Sequence, residues 1–86
     1  MENQQANLQM MILLQEWDPL GYGIGSYETE AVDVLQVAYQ FDDPGKLARK
    51  IQSIFEFSFE EIIALKECEN MALQLLTIKN NAACEL

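Results

Sequence analysis

Three carboxylates surround the segment Trp17-Asp18-Pro19-Leu20-Gly21-Tyr22-Gly23-Ile24-Gly25-Ser26-Tyr27: Asp18 lies within it, and Glu28 and Glu30 follow it. Oxygen ligands brought together in this way could hold a divalent cation, and helical carboxylate bundles do bind metals. A calcium loop starting at Asp18 would put Gly23 at its sixth position. Its third, fifth and twelfth positions would then be Leu20, Tyr22 and Thr29, which cannot supply the required ligands. Metal sites in helical bundles usually add Glu-x-x-His, and the chain has no histidine. Gly21-x-Gly23-x-Gly25 also departs from a phosphate-binding loop. The spacing differs, a helical pattern precedes it instead of a strand, and no lysine is near. The acids therefore read first as helix caps and solvated faces. A metal-binding or enzymatic domain using Asp18, Glu28 and Glu30 is the alternative.

Little other catalytic chemistry is available. Without histidine the chain lacks the commonest general base and cannot build a Ser/His/Asp or Cys/His nucleophile. Its cysteines, Cys68 and Cys84, form no Cys-x-x-Cys pair. Cys68 falls on a helical apolar stripe and reads as a small core residue. No enzyme activity and no cofactor are expected.

Four helical segments would position these residues. The first runs from about Asn3 to Trp17, with Met10, Leu13, Leu14 and Trp17 on one face. Met11 and Ile12 are apolar too, so the middle of this helix is apolar nearly all round and calls for a second contact. Asp18-Pro19 ends it, because proline disfavours helical geometry in the residue before it. Ser26 is a candidate N-cap for the second helix, which has Glu28 and Glu30 in its first turn and Ala31, Val34, Leu35 and Ala38 on one face. Asp43 caps the third, with Pro44 at its first position and Leu47, Ile51, Ile54 and Phe55 as its stripe. Ser58-Phe59-Glu60-Glu61 reads as a capping box opening a fourth segment, about Phe59 to Lys79. Its phase drifts near Ala64 to Lys66, which leaves open whether the helix is continuous, kinked or broken there. Residues 80–86 look like a frayed tail. The expectation is one all-α domain over residues 1–86, a small bundle of about four helices with short connections and one Gly-rich loop after the first.

Charge narrows the partners. The 86 residues carry a net charge of −9; before Lys46 there are eight acids and no base, and from Lys46 onward six acids face five bases. Such a chain repels phosphate backbones and anionic membranes, so neither nucleic acid nor membrane is expected as a partner. A basic protein partner is compatible with it. The N-terminus, Met-Glu-Asn-Gln-Gln, has no positive charge before an apolar run and so does not read as a signal peptide. The apolar run Met10 to Leu14 is far below the about 20 residues that span a bilayer. Two cysteines make no disulfide framework, which fits a reducing cytoplasm.

The loop after Trp17 carries more apolar surface than a linker needs. It either folds back onto the core or meets a partner. Asp18, Tyr22, Ile24, Glu28 and Glu30 are its candidate partner-binding residues, with Met11 and Ile12 on the first helix. Trp17 is expected to be mostly buried, packed by the loop and the second helix. Glu16, Asp18, Glu28, Glu30 and Asp33 are expected to form a continuous acidic surface. An uncovered face on the first helix would invite a homodimer.

Trp17-Asp18-Pro19-Leu20-Gly21, Tyr27-Glu28-Thr29-Glu30 and Asp33-Val34-Leu35 resemble the YugE-like family of small bacillus proteins of unknown function. So do Asp42-Asp43-Pro44, Ile51-Gln52, Phe57-Ser58-Phe59-Glu60-Glu61 and Glu67-Cys68-Glu69. The resemblance spans nearly the whole chain. It implies a compact all-helical cytoplasmic fold and brings no catalytic residue with it. Around Ala64 the match is weaker: relatives tend to have a helix-breaking residue there, which leaves the continuity of the fourth helix open. A similar Trp-Asp-Pro turn occurs in other small bacterial helical proteins, some resembling immunity proteins that neutralise toxins. An immunity-like inhibitor of a basic partner is thus one sharp expectation, and a purely structural homodimer is another.

Overall fold

The 3.6-residue apolar periods become four α-helices in a computed structural model, which describes residues 4–23 and 25–84. They are α1 (Gln4–Trp17), α2 (Glu28–Gln40), α3 (Pro44–Phe59) and α4 (Leu65–Cys84), with no strand among the described residues. The core is built from one face of each. Met10 and Leu14 come from α1, and Ala31, Val34 and Ala38 from α2. Leu47, Ile51 and Phe55 come from α3, and Cys68, Met71, Ala72, Leu75 and Leu76 from α4. The broadest helix contact is α3 on α4, while α1 lies against α2 and α4.

The third helix starts as its residues dictate. Asp43 Oδ1 accepts a hydrogen bond from the Gly45 N–H at 3.0 Å, and Pro44 sits where no donor is lost. Its end differs from the sequence expectation. α3 runs through Ser58 to Phe59, so the Ser58 capping box does not form, and α4 begins at Leu65. Phe55 and Phe59, one turn apart, both face the aromatic cluster described below, which keeps that turn helical. Glu60 then adopts φ 58° in the left-handed region and returns its N–H to Glu56 O at 2.8 Å. Gln52 Nε2 donates to Ile63 O at 2.8 Å and ties the connection to α3. The phase drift near Ala64 therefore marks a true break, placed just before α4. At the other end α4 continues through Cys84, past the expected fraying point at Asn80. Ala82 and Ala83 are strong helix formers.

The C-terminal end of α2 is closed by a residue of α4. Lys79 Nζ donates to Ala38 O at 3.0 Å, Phe41 O at 3.1 Å and Asp42 Oδ1 at 2.9 Å. A cation there satisfies terminal carbonyls and opposes the negative end of the helix dipole.

Candidate functional site

The loop after Trp17 holds itself together with its own polar groups. Asp18 ends α1 with φ 42°, a left-handed geometry that aspartate tolerates better than most residues. Gly21 and Gly23 follow at φ 78° and 98°, so the chain turns sharply at both. The turn brings Asp18 Oδ1 within 3.1 Å of the Gly23 N–H and 2.5 Å of the Tyr27 hydroxyl, which donates to it. That hydroxyl in turn accepts from the Leu20 N–H at 3.3 Å and the Tyr22 N–H at 3.2 Å. The bond from Tyr27, and after it the one from Gly23, hold the Asp18 carboxyl below the usual aspartate range. Burial raises the Tyr27 hydroxyl above its ordinary value, and the Asp18 carboxylate raises it further.

Beneath this knot lies an aromatic cluster. The Tyr27 ring, fully buried, meets Phe55 at 5.7 Å and Phe59 at 5.5 Å between ring centres. Tyr22 stacks on Phe59 at 5.4 Å and donates its hydroxyl to Glu61 Oε2, a bond that raises the Tyr22 hydroxyl's pKa. Trp17 is half-buried and meets Phe55 edge-to-face at 5.6 Å. Its aromatic neighbour is therefore on α3, where the sequence expectation had a mostly buried ring packed by the loop and the second helix. Ser26 does not cap α2: Tyr27 stands at that position without a side-chain cap bond, and Ser26 Oγ donates to Tyr22 O at 2.9 Å.

The expected binding residues scatter accordingly. Asp18 is bonded within the loop, Tyr22 is half-exposed but joined to Glu61, and Glu28 is exposed at the start of α2. Ile24 lies outside the described residues. Glu30 overturns its expectation. It is buried, only 9% exposed, because it follows Tyr27 by three residues and precedes Val34 by four on the core-facing side of α2. Among the described residues no three of His, Cys, Asp and Glu come together to hold a metal ion, so Asp18, Glu28 and Glu30 form no such group. The continuous acidic surface is broken as well. Glu30 is removed from it, Asp18 is engaged, and Asp33 shares a small cavity with Lys50. Lys46, Arg49 and Lys50 line a neighbouring cavity of about 280 Å³.

What is left open is the outer side of α1 and α4. A groove of about 530 Å³ runs between them, its apolar lining Ile12, Leu13, Leu73 and Ile78, with Glu16 the one charged residue on it. Beside it Leu8 is 61% exposed, Ile12 46% and Leu73 52%. Met11 is half-buried. Leu8, Ile12 and Leu73 remain exposed because the loop packs its aromatic residues onto α3, away from this face. The stretches Gln4–Gln15 and Asn70–Ile78 contain no charged residue, in a chain that is 22% charged. Part of this signal, the five apolar residues from Met10 to Leu14, is plain in the sequence. The matching uncharged run on α4 gains meaning only once the two helices are seen side by side.

A family model described as a domain of unknown function, DUF1871, matches residues 9–85. The uncharacterised protein YugE of Bacillus subtilis (strain 168) is 48% identical over 84 residues, covering 98% of each chain. A crystal structure of a Bacillus stearothermophilus protein superposes with a TM-score of 0.89 at 41% identity, covering 93% of this chain and 99% of that one. The four-helix fold is therefore shared with an experimentally determined relative. No helix among the described residues is long and apolar enough to cross a membrane.

Proposed function

The chain belongs to the DUF1871 family, and from that premise and its own surface we propose a small, non-enzymatic protein that works by binding another protein through the α1–α4 face. One observation carries this reading: an exposed apolar groove beside Leu8, Ile12 and Leu73, in which Glu16 is the one charged lining residue. Depletion of charge with retained apolar side chains is what distinguishes the centre of a protein interface from ordinary surface. The scarcity of catalytic groups supports the non-enzymatic part, and the two cysteines fit a reducing cytoplasm. An immunity-like inhibitor of a basic partner draws less support, since of the five acids it would use Glu30 is buried, Asp18 is engaged and Asp33 is set beside Lys50, with Glu16 and Glu28 left exposed.

Photo-crosslinking in the producing cell tests the reading. A crosslinker replacing Ile12 should yield a discrete protein adduct, while one replacing Gln36, exposed on α2, should not. No adduct from Ile12, or equal adducts from both positions, would reject the α1–α4 face.

A further inference from the structure

We propose that the occupant of the α1–α4 face is a second copy of this chain, forming a symmetric dimer; this rests on the protein-binding reading above and names its partner. Electrostatics supply the first argument. Each copy carries −9, so two copies repel, and they repel least where they meet on a face with little charge. Of the eight residues that line the groove between α1 and α4, Glu16 alone is charged, and the 12 residues Gln4–Gln15 and the 9 residues Asn70–Ile78 hold no charge. A strongly basic partner would gain little here, because Glu16 alone lines the groove with an opposite charge.

Shape supplies the second argument. The face offers both a groove and a ridge. Leu8 and Ile12, one turn apart, form an exposed row on α1 along the groove, whose lining includes Ile12, Leu13, Leu73 and Ile78. A two-fold axis lets the ridge of each copy enter the groove of the other, as a self-complementary interface requires.

Area sets the size class of the interface. The 14 residues of α1 span about 21 Å at about 1.5 Å per residue. Two helices packed about 10 Å apart then give a face of roughly 400 Å² per copy in projection. The accessible area buried in total is on the order of 1,000 Å², the low end for specific interfaces and the size class of weak, transient contacts.

Sedimentation equilibrium of the full chain over about 1–300 μM, a range suited to weak, transient contacts, tests the proposal. The expected result is a reversible monomer–dimer equilibrium whose dimer strengthens as salt screens the like charges. A contact with a basic partner would weaken instead. Ile12→Glu and Leu73→Glu should each weaken the dimer at least about tenfold, the result of placing like charges across a close contact. Both side chains are about half-exposed, and unchanged circular dichroism melting would confirm that the fold survives. Phe57→Glu, at an 89% exposed site on α3, should leave the equilibrium unchanged. A monomer throughout the range, or a dimer indifferent to Ile12→Glu and Leu73→Glu, overturns the proposal. If the chain stays monomeric while Ile12 crosslinks to a different protein, the second copy is rejected and the protein-binding reading stands. A monomer with no adduct rejects both.

Discussion

Replacing Tyr27 with phenylalanine removes a single oxygen and asks how much the loop depends on it. The ring keeps its place against Phe55 and Phe59, so aromatic packing is preserved. The hydroxyl's bond to the Asp18 carboxylate is lost, along with the acceptor for the Leu20 and Tyr22 N–H groups. A hydrogen bond to a charged group contributes about 1.5–3 kcal/mol. The two N–H contacts, at 3.3 and 3.2 Å, are longer, and water can replace them at the edge of the loop. The expected cost is therefore about 2 kcal/mol, a substantial part of the roughly 5–15 kcal/mol that holds a domain together. In a domain of this size that lowers Tm by about 8–16 °C. Circular dichroism melts of both proteins near neutral pH measure it. The acid limb gives a second reading. Asp18 titrates lower in the folded chain than in the unfolded one, so its contribution is present above the unfolded value of about 3.9 and disappears as pH falls through the folded value. Tyr27→Phe removes the largest cause of that lowering and should flatten this part of the stability curve. A Tm within about 2 °C of the parent, too little for a lost bond of this kind, would refute the view that the Tyr27 hydroxyl organises the loop.

The pair Lys79 and Asp42 separates a helix cap from a surface ion pair. The Lys79 side chain is 15% exposed and that of Asp42 is 92%. Lys79→Met should cost about 1.5–3 kcal/mol through the stranded carbonyls of Ala38 and Phe41. Asp42→Ala should cost no more than about 1 kcal/mol, and equal losses in urea titrations would contradict the cap. The Cys68 thiol is pushed up to about 11, first by burial and then by Glu67 and Glu69. In a Cys84→Ser background it should resist a disulfide reagent at about pH 8 until the protein is unfolded, since the thiolate is the reactive form. Rapid labelling of the folded protein would show that the site opens more readily than its packing implies.

The helices were legible because each buries a continuous face, and the spacing of Met10 with Leu14, or of Leu47, Ile51 and Phe55, states that face directly. Boundaries were legible where a residue has one dominant role, as at Asp18-Pro19 and Asp43-Pro44. They were not where two roles compete. Ser58 and Glu61 satisfy the pattern of a capping box, yet Phe55 and Phe59 gain more by remaining one turn apart on the same helix. Glu30 misled because its charge suggests a solvated face while its register from Tyr27 and Val34 places it inward. The loop's purpose was half visible. Its apolar content pointed to a core or a partner, but the pairing of Asp18 with Tyr27 depends on two left-handed glycines that bring residues nine apart into contact. The α1–α4 face belongs to neither helix alone.

The grip of Lys79 on the end of α2 has a consequence for the order of synthesis. The ribosome makes α2 first, but its last carbonyls and Asp42 find their charged partner only when α4 has been made, some 40 residues later. Until then α2 has an open end, and isolated helices of its length are marginal in water. The N-terminal half therefore gains the cap on its second helix and its packing on α4 in one step, when the fourth helix arrives.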